Sequence, residues 1–249
     1  MKIQWMGHAA VLLTSESGKT IVTDPFERRA YSFVTRGALV YDEFKGTVDI
    51  AVVTHEHPDH NYVAPLGGNP AVVHGMEICK SGPVTAKGIE FKAIPTYHDN
   101  AGGKKLGDNS VVYFYLDGFK ICHTGDLGHT LSKEQRAELG DIDILLLSVG
   151  LLEPVGEPKQ LKDVNGNTVQ TWNQYIIDAG VANQILEQFA PKVTIPIHFA
   201  NEKCTFNLAN LPDFLDGKKN VVMMEGSEVE FKKGELPTNN PIIVLKPAL

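Results

Sequence analysis

Short apolar stretches separated by Gly, Asp, Asn and Pro set the pattern of this chain. The runs Lys2 to Met6, Ala10 to Thr14, Thr20 to Thr23, Asp49 to Thr54, Ala71 to His74 and Ile89 to Ile94 have the length and residue types of strands. Ser110 to Leu116 and Phe119 to His123 flank Asp117-Gly118, a dipeptide suited to a tight hairpin. Ile142 to Ser148 is apolar almost throughout and reads as a central strand buried on both faces. Val193 to Ile197, Val221 to Met224 and Val229 to Lys232 form a second set of strands. Helical spacing is clearest at Ser132 to Leu139 and Asn173 to Phe189, with Gly180 in the middle of the latter. Strand blocks with interspersed helices predict an α/β fold, two sheets packed face to face with helices outside. No repeat or low-complexity segment divides the chain, so residues 1–249 read as a single domain.

Three segments depart from this pattern. Tyr31 to Tyr41 concentrates Tyr31, Phe33, Arg36 and Tyr41 ahead of the histidine-rich loop described below, and Arg36 is a candidate for binding a substrate phosphate or carboxylate. Leu151 to Trp172 is rich in turn formers and reads as a long connecting segment, a substrate cover or an oligomer contact. The tail from Pro237 to Leu249 carries Ile242-Ile243-Val244-Leu245, an extra strand that pairs within the sheet or with another subunit.

Composition narrows the function classes. The net charge of -7 argues against a general nucleic-acid binder, and the pairs Lys104-Lys105, Lys218-Lys219 and Lys232-Lys233 are too short to offset it. Cys79, Cys122 and Cys204 are sparse, odd in number and without paired spacing, which points to a reducing, cytoplasmic setting. No signal-like start or membrane-spanning apolar run is present.

Chemistry is concentrated in His55-Glu56-His57-Pro58-Asp59-His60, directly after the apolar run Ile50 to Val53. Side chains two apart in an extended segment point the same way, so His55 and His57 can share one metal ion. Asp59 and His60 follow a proline that opens the first turn of a predicted helix and aims them at a second position nearby. Imidazole and carboxylate without thiolate suit zinc, manganese or iron. Further ligands are expected where other strands end: His98 after Ile89 to Ile94, Asp126 after Phe119 to His123, and His198 after Val193 to Ile197. Together these residues predict a metal-dependent hydrolase with two adjacent ions.

The motif order Thr54-His55-x-His57-x-Asp59-His60, His98, Gly125-Asp126, His198 resembles that of metallo-β-lactamase-fold hydrolases over most of the chain. Trp5-Met6-Gly7-His8-Ala9, Thr23-Asp24-Pro25 and Pro196-Ile197-His198-Phe199 are similar to the branch that includes ascorbate-6-phosphate lactonase and N-acyl-phosphatidylethanolamine phospholipase D. The resemblance implies a four-layer αββα sandwich. It implies that His55, His57 and His98 hold one divalent ion, zinc or manganese with iron as a further option. Asp59, His60 and His198 hold the second, Asp126 bridges the two, and Asp59 and Asp126 are the catalytic carboxylates. His8 and Asp24 are candidates for bracing these ligands. His129, near Asp126, is a candidate proton donor to a leaving group.

The leading functional expectation is hydrolysis of a small-molecule ester, a lactone or phosphorylated sugar lactone. A phosphodiesterase needs the same ions plus a phosphoryl-binding cation. A non-catalytic metal-bearing binding module is the alternative from another class. The expected partner is a small-molecule substrate, with no nucleic acid and no membrane span, and homo-oligomerisation is open.

Overall fold

The computed structural model describes residues 1–28, 39–162, 168–171, 174–177, 179–206 and 208–249. Arg36, with Tyr31 and Phe33, lies outside them. The first sheet contains β1 (Lys2–Gly7), β2 (Ala10–Thr14), β3 (Thr20–Thr23), β4 (Ile50–Val53), β5 (Ala71–His74) and, at its other edge, β17 (Glu228–Glu230), in the order β17-β1-β2-β3-β4-β5. Strands β1 to β3 form an antiparallel meander, and β4 and β5 continue it in parallel.

The second sheet contains β6 (Val84–Ala86), β7 (Ile89–Tyr97), β8 (Asp108–Leu116), β9 (Phe119–His123), β10 (Ile144–Ser148), β15 (Val193–Ile197), β16 (Val221–Met223) and β18 (Ile242–Val244). Its order is β16-β18-β15-β10-β9-β8-β7-β6. The β8–β9 turn has Asp117 at φ 52° and Gly118 at φ 83°, the left-handed pair that a two-residue hairpin loop needs. From β9 onward the neighbours are parallel.

The core lies between the sheets. Ile3, Trp5, Val11, Leu13, Ile21, Ile50 and Val52 from the first meet Phe91, Ile94, Phe114, Ile121, Leu145 and Ile195 from the second. Strand alternation then puts Val22 and Ala51 on the far side of the first sheet, under Val48 and Leu66. Met6, Ala10, Phe26, Leu39, Tyr41, Cys204, Phe206 and Leu208 form a further apolar cluster.

The helices are α1 (Gly75–Ser81), α2 (Lys133–Leu139), α3 (Gly180–Phe189) and α4 (Leu211–Leu215). The first packs on β7 and β8, the third on β10, and the fourth on the third. Ser132 and Gln135 form a reciprocal capping box at the start of α2. The Arg136 guanidinium bonds the carbonyls of Gln188 and Phe189, fastening α2 to the end of α3. No helix among the described residues is long and apolar enough to cross a membrane.

The α/β sandwich matches the expected class, and several elements correct the sequence reading. Gln174–Ile177 is a strand, β14, paired with β11 (Leu152–Val155), so α3 begins at Gly180 rather than carrying it mid-helix. The cross-strand ladder overrides helical spacing there, and Ile176 and Ile177 are β-branched. The Leu151 to Trp172 segment is likewise not structureless: β12 (Lys159–Lys162) pairs with β13 (Thr168–Thr171) inside the β11–β14 ladder. The intervening Asn165-Gly166 is a hairpin dipeptide, though it lies outside the described residues. The tail strand β18 sits inside the second sheet, between β15 and β16 of the same chain. Asp59 and His60 occupy a single turn instead of a helix, closed by bonds from the His60 and Asn61 N–H groups to the His57 carbonyl.

Removing a core ring should cost far more than removing a cap. Phe91→Ala is expected to lower unfolding free energy by about 3–5 kcal/mol and Ser132→Ala by about 1 kcal/mol. Chemical denaturation checks both, and equal costs would contradict the placement of the core.

Candidate metal centre

Seven strand ends open onto one edge of the sandwich. β1 leads into His8, β3 into Asp24, β4 into Thr54 and His55, β7 into His98, β9 into Gly125 and Asp126, β10 into Ser148, and β15 into His198. Three of these residues are held in the left-handed region without being glycine: His8 at φ 49°, Asp24 at φ 40° and His198 at φ 54°. Such conformations persist only where the surroundings impose them, and they gather at functional sites. Here the Asp24 N–H bonds the Val52 carbonyl, and the His198 N–H bonds the His8 carbonyl.

The side chains form two separate groups of donor atoms, each within 4.8 Å of one another: His55, His57 and His98, and His8, Asp59, His60 and His198; a third such group, Asp24 with His55 and His60, overlaps both. The sequence reading assigned the first three to one ion and the last three of the second group to another. His8, read there only as a brace, stands inside the second group. Asp126 reaches both: its Oδ2 lies 2.9 Å from His98 Nε2, 3.2 Å from His60 Nε2 and 3.5 Å from His198 Nε2.

A surrounding layer fixes the ring orientations. The Thr54 hydroxyl donates to Asp24 Oδ2 at 2.7 Å, so its oxygen accepts from His55 Nδ1–H at 3.0 Å and leaves His55 Nε2 as the lone-pair atom facing His57. His60 Nδ1–H donates to Asp24 Oδ2 at 3.0 Å, freeing its Nε2 toward Asp126. Asp24 thus holds one histidine of each group, the carboxylate–imidazole arrangement that commonly backs metal ligands.

Asp126 is set in place through Asn109. Asn109 Oδ1 accepts the Asp126 N–H at 3.0 Å, while its amide donates to Thr96 Oγ1 and the Thr124 carbonyl. Gly125, at φ 52°, runs so close that an added Cβ would sit 2.3 Å from Asn109 Oδ1 and 2.7 Å from Thr54 Oγ1.

The protonation balance follows from burial and neighbours. Burial works against the Asp126 and Asp59 carboxylates, yet the surrounding imidazoles hold both well below the usual range. Burial also opposes a charged His60, but Asp126 and Asp59 pull it well above its ordinary value, and Asp126 raises His98 in the same way. Burial pushes His57 down to about 4 and His198 to about 3, and it lowers His55 strongly. Protons on His60 and His98 thus balance the buried carboxylates, while His55, His57 and His198 are held neutral, and a cation could take the place of those protons.

The buried atoms Asp59 Oδ1, Asp126 Oδ1, His60 Nε2, His98 Nδ1 and His198 Nδ1 have no hydrogen-bond partner among the described residues. Native interiors rarely leave such groups uncompensated. Nitrogen and oxygen donors converging in this number fit divalent ions of the zinc or manganese kind. His57 and His98 are partly exposed, whereas His55, His60 and His198 are buried, so the first group faces solvent.

His129 has another occupation. Its Nε2 accepts the Tyr97 N–H and its Nδ1 faces the Thr130 carbonyl, so both ring nitrogens are engaged with backbone. Asn109 lies buried in β8. Nothing in the spacing of Asn109 or Ser110, whose hydroxyl bonds the Thr54 carbonyl, marks them as site residues.

The profile of the β-lactamase superfamily domain matches residues 2–198, which includes every residue of both donor groups. A UPF0173 metal-dependent hydrolase of Pyrococcus abyssi is 26% identical over 219 residues, covering 80% of this chain and 84% of that protein. One of Pyrobaculum islandicum is 30% identical over 222 residues, with the same shares covered. A crystal structure from Thermotoga maritima, of a candidate zinc-dependent hydrolase of the metallo-β-lactamase superfamily, aligns with a TM-score of 0.68 at 30% identity over 98% of this chain and 97% of that one. With its two-sheet fold and its converging histidines and aspartates, the chain belongs to the β-lactamase superfamily and, within it, to the UPF0173 metal-dependent hydrolases.

Proposed function

We propose that the protein is a dinuclear-metal hydrolase acting on a small-molecule ester, a lactone or phosphorylated sugar lactone. One observation carries the dinuclear reading: the Asp126 carboxylate lies against His98 of one donor group and against His60 and His198 of the other. His55, His57 and His98 would hold the first ion, Asp59, His60 and His198 the second, and Asp126 both. When bound, such ions supply Lewis acidity toward a carbonyl or phosphoryl oxygen and acidify water at neutral pH.

The chain's own residues do the rest. Asp24 and Thr54 keep His55 and His60 in the tautomers that present Nε2. Asn109 and Gly125 set the direction of Asp126. Buried His60 and His198 keep water from the inner side, so a substrate approaches past partly exposed His57 and His98. The ester reading rests on the likeness of the Trp5-Met6-Gly7-His8-Ala9 and Pro196-Ile197-His198-Phe199 motifs to the branch that includes ascorbate-6-phosphate lactonase and N-acyl-phosphatidylethanolamine phospholipase D, with the lactone as the leading substrate class.

Protein loaded with manganese or zinc is expected to open a phosphorylated sugar lactone, and Asp126→Ala is expected to abolish that activity. Cleavage of a simple phosphodiester alone would replace the lactonase reading with a phosphodiesterase. Two bound ions without turnover of either substrate would favour a binding module. Separately, Asp24→Asn should weaken metal binding by about 10–100-fold, read by competition with a chromogenic chelator. Unchanged affinity would remove Asp24 from the support of the centre.

A further inference from the structure

His8 is fully buried, ionisable and held in the left-handed region. The fold fixes it from several sides. Its carbonyl accepts both Trp5 Nε1–H and the His198 N–H at 2.9 Å. Gly7 before it, at φ 119°, passes so close to the Tyr41 ring that an added Cβ would lie 2.6 Å from it. The imidazole is thereby placed between two groups. Its Nε2 lies 3.1 Å from Asp59 Oδ2, and its Nδ1 lies 3.8 Å from Cys204 Sγ.

The two contacts fix one arrangement. Burial keeps the Cys204 thiol protonated, its value pushed up to about 12. The thiol is then a donor, so Nδ1 is the accepting nitrogen and Nε2–H points to Asp59. The same Oδ2 lies 3.7 Å from His60 Nε2, and the other carboxylate oxygen, Oδ1, is buried without a hydrogen-bond partner among the described residues.

We propose that Cys204, His8 and Asp59 form a positioning array in which His8 fixes the Asp59 carboxylate by Oδ2 and so sets its orientation toward the second metal ion. His8 acts here through Asp59 and is a positioning residue, not itself a ligand. The inference rests on the dinuclear reading above. It explains why a buried imidazole stands among the second group of donors, and it gives a role to a cysteine that has no disulfide partner.

The test is metal stoichiometry and affinity, measured by elemental analysis after equilibration in zinc buffers, on the wild type and the variants His8→Asn, His8→Gln and Cys204→Ala. Thermal unfolding of the chelator-treated proteins reports folding independently. The Asn amide extends only as far as the Nδ1 position, whereas the Gln amide reaches the Nε2 position. His8→Asn should keep the first ion and weaken the second by about 10–100-fold, and His8→Gln should recover most of that loss. Two ions held by His8→Asn with wild-type affinity would overturn the proposal. So would a His8→Gln variant as weak as His8→Asn, which would make the imidazole itself a ligand. If His8→Asn does not fold, Cys204→Ala decides: second-ion binding several-fold weaker supports the array, and unchanged binding overturns it. A wild type that binds a single ion instead refutes the dinuclear reading, an outcome distinct from failure of the array.

Discussion

Burial of the Asp126 carboxylate is the constraint around which the rest of the structure is organised. A carboxylate removed from water is tolerated only if paired. Three imidazole nitrogens surround this one within 3.5 Å, drawn from the ends of β7 and β15 and from the turn after β4. Each histidine is itself buried or nearly so, and several of their atoms lack a hydrogen-bond partner among the described residues. The cluster is therefore costly as a purely internal arrangement. It becomes favourable when cations share its lone pairs, which couples metal binding to the stability of this end of the sandwich.

That coupling explains the local backbone. His8, Asp24 and His198 adopt left-handed conformations, and Gly125 runs against Asn109 and Thr54 too closely for any side chain. The two apolar faces between the sheets provide the rigidity that sustains these turns, since the strands leading into them are buried over nearly all their length. Polar residues with no chemistry of their own then set the orientation of those that have it: Asp24 for His55 and His60, and Asn109 for Asp126.

The strands and the ligand series were legible in the sequence because both depend on short-range pattern. Short apolar runs bounded by turn formers match strands such as β2, β3 and β9 to the residue, and the His-x-His-x-Asp-His spacing follows from side-chain direction at the end of β4. Elements set by long-range pairing were not legible. β14 has helical spacing but becomes a strand because β11 lies beside it, and α1 offers little apolar signal, with Ile78 as its one large buried side chain. The supporting residues were hidden for the same reason. Asn109 reaches Asp126 only once β8 and β9 are paired, and Cys204 lies 196 residues from His8 in sequence. Nothing local distinguishes a cysteine that fills a core from one that orients an imidazole.

The account stands or falls on cations being what the buried donors are for. The most direct measurement is titration of chelator-treated protein with zinc or manganese while following both bound metal and the thermal unfolding midpoint. The account predicts two equivalents per chain and a midpoint that rises as they bind, because the ions bind the folded state in preference to the unfolded one. A chain that unfolds at the same temperature with and without these metals, and retains none of either, would contradict it.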